Sequence, residues 1–127
     1  MRLAVDTNAY SDFVLGVPLR VRGGNAAAEL FLPFIVLAEL RAGFALGRHG
    51  PQNERGLQSF LSSTRVKLLW ADEGTVMHYV ALFAYLRRHG TPIPENDLWI
   101  AALVLQHGLT LCTSDAHFQH LPQVPRC

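Results

Sequence analysis

Cysteine is scarce: the 127 residues hold only Cys112 and Cys127. Two cysteines cannot build the disulfide framework of a small extracellular domain, and a reducing compartment suits them. Lysine is scarcer still, with Lys67 alone. No apolar run approaches the roughly 20 residues that cross a bilayer. No basic-then-apolar leader opens the chain, so a cytoplasmic protein without membrane contact is expected. Repeats and low-complexity runs are missing too. Only 17% of residues are charged, while 50% are hydrophobic, against a net charge of +1. That excludes a disordered chain, whose apolar content could not offset the entropy of ordering. A chain of this length buries roughly two thirds of its unfolded surface, and one domain over residues 1–127 is expected.

The order of elements follows from punctuation and periodicity. Leu3–Val5 reads as a buried strand ending at Asp6, and Thr7 or Asn8 can cap a helix to about Leu15. Gly16–Gly24, with a proline, three glycines and two arginines, reads as a loop. A strand over Leu30–Leu32 leads to a helix opened by Pro33 and stopped near Gly47. Gly50–Ser62 has helical spacing, and Val66–Trp70 reads as a strand. Asp72 caps a helix with Val76, Val80 and Phe83 on one face, ended by Gly90. Asn96 caps another helix that ends at Gly108, and Leu109–Cys112 is the last strand. Strands alternating with helices predict an α/β fold with a mainly parallel central sheet flanked by helices.

Four acids sit where acids are costly. Asp6 ends the first strand and Asp115 follows the last, and sites in open parallel sheets form outside the carboxyl ends of strands. Glu39 lies on a helical stripe with Ile35, Val36, Ala42, Gly43 and Leu46; Asp97 lies on one with Ile100, Ala101, Val104 and Leu105. A carboxylate on a core-facing stripe needs compensation. A buried arginine partner would supply it, and for Asp97 the helix dipole also helps. Four acids converging on one crevice would repel one another, and a divalent cation relieves that. All-oxygen ligation suits Mg²⁺ or Mn²⁺. With these four of the ten acids set aside, eleven basic residues face six acids, a balance of +5 that attracts a polyanion. Ten of the eleven are arginines, which suit phosphate, although high-GC codon usage produces the same bias.

The sequence resembles the PIN-domain ribonucleases, and within them the VapC-type toxins of toxin–antitoxin modules. The resemblance rests on Asp6-Thr7-Asn8, Leu37-Ala38-Glu39-Leu40 with Gly43, Pro94-Glu95-Asn96-Asp97-Leu98-Trp99-Ile100-Ala101-Ala102, and Thr113-Ser114-Asp115 before His117-Phe118. It spans nearly the whole chain. It implies a single PIN domain and a catalytic metal site of Asp6, Glu39, Asp97 and Asp115, with Asn8 and Thr113 supporting it. It implies Mg²⁺-dependent hydrolysis of RNA phosphodiesters, with Mn²⁺ as the substitute ion. A VapB-type antitoxin, a homodimer and DNA binding only through the antitoxin come with the family. Pro33 stands where many relatives carry a capping serine, and Thr-Ser-Asp stands where Thr-Arg-Asp is frequent. Arg20, Arg22, Arg87 and Arg88 are candidate RNA phosphate contacts, and Arg87 is also placed to pair with a site carboxylate. Trp99 and Phe118 read as core, and Ala42, Gly43, Leu46 and Gly47 form a ridge open to helix packing in a dimer.

Three other readings rank lower. A haloacid-dehalogenase-like phosphatase needs a second aspartate where Asn8 stands and a phosphate-binding lysine, whereas Lys67 falls on a strand. A zinc site from Cys112, His117 and His120 has no four-ligand spacing. A catalytically silent PIN-like module that binds RNA or protein would have no use for four mutually repelling acids.

Overall fold

The computed structural model describes residues 1–17 and 28–127, so most of the predicted Gly16–Gly24 loop, with Arg20 and Arg22, lies outside the described residues. Four strands, β1 (Arg2–Val5), β2 (Glu29–Pro33), β3 (Val66–Leu69) and β4 (Thr110–Cys112), form one sheet in the order β3-β2-β1-β4. Every pairing is parallel: Ala4 stands opposite Phe31 on one side and Leu111 on the other, and Leu32 opposite Leu68. Strands covered on both faces have no solvent side, which is why β1 and β2 read as short apolar runs without alternation.

Among the described residues, five helices connect and cover the sheet: α1 (Thr7–Val14), α2 (Phe34–Leu46), α3 (Gly50–Ser62), α4 (Glu73–His89) and α5 (Glu95–His107). A 3-10 turn, Ala116–His120, follows β4. The chain then returns beside β4. Leu111 N donates to Pro125 O at 2.8 Å and Cys127 N donates to Leu111 O at 3.0 Å, a parallel bridge between Leu111 and Arg126. The buried apolar side chains make one continuous cluster. α5 lies at its centre, with Leu98 and the run Ile100–Val104 buried, so it is apolar nearly all round.

The helix starts differ from expectation in three places: α2 begins at Phe34, with Pro33 as its N-cap and the last residue of β2, and the other two lie at the site. Asp6, not Thr7 or Asn8, caps α1, its carboxylate accepting from Ala9 N. α5 begins at Glu95 after Pro94, so Asn96 is inside the helix and does not cap it. Asp72 caps α4 as expected, in a reciprocal capping box with Thr75. Gly90 and Gly108 end α4 and α5 at φ of 64° and 62°, left-handed backbone that glycine adopts without strain.

Two predicted faces turn out differently. Val76, Val80 and Phe83 of α4 stay 46%, 58% and 44% exposed, while Thr75, Leu82 and Leu86 are buried. α4 carries two apolar stripes, and the one that meets α5 wins. On α2 the buried side chains are Val36, Leu37 and Leu40, whereas Ala42, Gly43 and Leu46 of the Glu39 stripe face solvent. Glu39 therefore sits where the buried half of that stripe gives out.

Candidate functional site

From β1 the chain passes to β2 on one side of the sheet, and the last strand is laid on the other side. The crevice at the carboxyl ends of β1 and β4 is thus the point where the strand order reverses, the usual place for a site in an open parallel sheet. Asp6 follows β1 directly and is 6% exposed. Its Oδ1 accepts the Ala9 N–H at 2.8 Å, and its Oδ2 accepts the Thr113 hydroxyl. Burial pushes its pKa above the usual carboxylate value. The bonds from Thr113 and Ala9 oppose that rise, and the charges of Asp115 and Asp12 add to it.

Thr113 does two jobs. While its hydroxyl donates to Asp6, its Oγ1 accepts the Asp115 N–H at 3.0 Å. One side chain thereby spaces the two strand-end acids. Asp115 in turn caps the 3-10 turn, its Oδ1 accepting the His117 N–H at 2.9 Å. Asp97, in the first turn of α5, is half-buried. Burial raises its pKa, the His117 contact lowers it, and the charges of Asp115 and Asp6 raise it again. The charge of Asp115 thus bears on both Asp6 and Asp97.

His117 joins two of them. Its Nδ1 stands 2.8 Å from Asp97 Oδ2 and 3.0 Å from Asp115 Oδ1. One donor atom from each of Asp97, Asp115 and His117 lies within 4.8 Å of the others, close enough to share a cation. The spacing of the sequence placed His117 only inside a motif or a zinc set. The zinc set does not assemble: the Cys112 sulfur lies against Cys127 at 2.6 Å, and His117 faces the carboxylates. Thr7 is the other residue that sequence reasoning passed over. Its hydroxyl donates to Glu39 Oε1 at 3.0 Å, while Asn8 beside it is exposed. Thr7 adjoins Asp6 in the Asp-Thr-Asn run and His117 lies two residues past Asp115, so proximity to the acids was the available signal. Neither Glu39 nor Asp6 falls within the close Asp97–Asp115–His117 group.

Arg87 places its guanidinium over the Phe83 ring at 5.3 Å and lines a cavity of about 390 Å³ with Tyr79, Glu95 and Leu98. Among the described residues it pairs with no site carboxylate, contrary to one of its two expected roles. Arg88 is exposed in the last turn of α4. Phe118 is buried as expected, whereas Trp99 is only half-buried and tilts against Tyr79 at 4.3 Å.

Asp97, Asp115 and His117 gather at the mouth of the parallel sheet into an acidic group that could hold a divalent cation, with the buried Asp6 at the end of β1 in the same crevice. The PIN domain family matches residues 3–124. The toxin FitB of Neisseria gonorrhoeae is 36% identical over 126 residues, covering 89% of this chain and 87% of that protein. Ribonuclease VapC4 of Mycobacterium tuberculosis is 32% identical over 100 residues, covering 78% and 76%. Among solved structures, VapBC-1 from nontypeable Haemophilus influenzae superposes with a TM-score of 0.79 at 26% identity, covering 100% of this chain and 97% of that one. The chain belongs to the PIN domain family.

Proposed function

We propose that this chain is the ribonuclease toxin of a toxin–antitoxin pair, with Asp6, Glu39, Asp97 and Asp115 as its catalytic acids in a single domain. One observation carries the reading: Asp6 is buried, with Thr113 and the Ala9 amide on its carboxylate, and the charge of Asp115 bears on both Asp6 and Asp97. A chain spends stability on such an arrangement where a cation is to be held. Mg²⁺, or Mn²⁺ in its place, suits the oxygen donors of Asp6, Asp97 and Asp115. Once bound, such an ion lowers the pKa of its water and offsets charge on the phosphate oxygens.

The protein groups divide the remaining work. Ala9 N–H and Thr113 hold both Asp6 oxygens in place. His117, with Nδ1 protonated, donates toward Asp97 and Asp115 and holds the pair together. Glu39 is steadied through Oε1 by Thr7, which leaves Oε2 to accept a proton from the attacking water. Arg87 and Arg88, with Arg20 and Arg22 outside the described residues, are assigned to RNA phosphates, and tRNA or another structured RNA is the substrate class.

The partner is a cognate antitoxin, as in the VapBC complexes of the solved relatives, and DNA is bound only through it. A groove of about 430 Å³ between α1, α2 and α3 is lined by Tyr10, Val14, Leu15, Leu40 and Phe44. Leu15 there is 79% exposed, apolar surface of the kind an antitoxin segment covers. A second copy of the chain completes a homodimer. No described helix is long and apolar enough to cross a membrane, and the cytoplasm is the assigned compartment.

The test incubates the purified chain with total bacterial RNA, with Mg²⁺ or with chelator, beside Asp6→Asn. Discrete Mg²⁺-dependent cuts that vanish in the variant are expected. Equal cleavage by the variant, or no cleavage by antitoxin-free protein that binds Mg²⁺, would overturn the assignment and leave a binding module.

A further inference from the structure

Cys112 is the last residue of β4 and is buried; Cys127 is exposed. Leu111 and Arg126 form a parallel bridge, so Cys112 and Cys127 are the next opposed pair along the same two segments. In parallel neighbours, opposed residues point to the same face, and the strands stand about 4.8 Å apart. That spacing falls inside the range of separations a disulfide spans. The side chains have taken up the geometry: the two sulfurs are 2.6 Å apart, nearer than unbonded sulfurs rest. Cross-strand hydrogen bonds from Leu111 to Pro125 and from Cys127 to Leu111 hold the segments in register. Two independent features, the backbone register and the sulfur contact, therefore point to the same pair.

We infer that Cys112 and Cys127 form a reversible intrachain disulfide that fastens the C-terminal segment to β4. The oxidant is a low-molecular-weight disulfide such as glutathione disulfide. The exposed Cys127 thiol gives up its proton, and its sulfur attacks one sulfur of the reagent. The reagent's S–S bond breaks, and one thiol leaves carrying that proton. Cys112 then gives up its proton and attacks the Cys127 sulfur, and the second thiol leaves with that proton. Two protein thiols are oxidised and one reagent disulfide becomes two thiols. The closed loop holds Thr113, Asp115, His117 and Phe118, so the crosslink restrains the segment that carries part of the acidic site. The inference is independent of the proposed activity, and its readouts are chemical and thermal.

The experiment equilibrates the full chain in graded glutathione redox buffers, alkylates free thiols, and reads intact mass and a non-reducing peptide map. Both thiols should disappear together within one chain, with Cys112 and Cys127 in one crosslinked peptide and no added glutathione. Oxidised protein should melt several degrees above reduced protein, because the crosslink limits the unfolded chain. Cys127→Ser alters an exposed side chain, so it should fold, form no crosslink and melt at one temperature in all buffers. Glutathione retained on Cys127 with Cys112 still alkylated, Cys127 linked between chains, or a crosslinked form that melts lower would each overturn the inference.

Discussion

Asp6 shows how one residue can serve the fold and strain it together. Its Oδ1 caps α1, while burial and the charge of Asp115 oppose ionisation. A carboxylate whose pKa is raised on folding adds stability in its protonated form. That contribution is complete below the unfolded value of 3.8 and is lost as pH rises through the folded pKa. Asp97 has the same sign. In chelator, Asp6→Asn should therefore melt a few degrees higher than the parent at pH 7 and depend less on pH, since asparagine also caps a helix. It should lose the rise in melting temperature that millimolar Mg²⁺ gives the parent. A parent-like response to Mg²⁺ in that variant would take Asp6 out of the cation site. Thr113→Val removes the hydroxyl shared by Asp6 and the Asp115 amide. Removing such a support should cost about 10–100-fold in Mg²⁺ affinity, read as a shifted midpoint in a Mg²⁺ titration of melting. An unchanged midpoint would mean the backbone alone sets the acids.

At the scale of elements, α4 and α5 are tied at one end by polar groups. Gln106 Nε2 donates to Asp72 Oδ1 at 2.6 Å, the Thr75 amide donates to the same oxygen at 3.2 Å, and the Thr75 side chain is fully buried between them. Hydrogen bonds from Gln106 and Thr75 hold the Asp72 carboxyl below its usual range. Thr75→Ala leaves Gln106 Oε1 without its donor, and a loss of about 1–2 kcal/mol in chemical denaturation is expected. α5 carries Asp97 in its first turn, so reduced activity should accompany that loss; full stability would show that water replaces the hydroxyl. The Asp72 cap and both glycine caps were legible, because Asp72, Gly90 and Gly108 act on their own helices. The buried side of α4 was not, because Val80 and Leu82 are equally apolar and only the position of α5 chooses between them.

For the whole molecule, one core stabilises the sheet order that makes the site. Leu103 is fully buried in α5, and Leu103→Ala should cost about 2–5 kcal/mol in denaturant unfolding. A value under about 1 kcal/mol would mean the core collapses around the gap. RNA binding, read on Asp97→Asn to prevent cleavage, should weaken steeply with salt if arginines carry the phosphates; salt-independent binding would remove Arg87 and Arg88 from that role. The alternation of strands and helices, the strand-end positions of Asp6 and Asp115 and the apolar neighbours of Asp97 were all determined by the sequence itself, because they depend on local periodicity and on turn residues. Tertiary structure alone decided the rest. Placing β4 beside β1 brings Thr113 onto Asp6 and His117 between Asp97 and Asp115. The packing of α2 against α1 sets Glu39 beside Thr7, and the return of the chain along β4 sets Cys127 against Cys112. Such pairings join residues far apart in the chain, and no local periodicity records which strand will be whose neighbour.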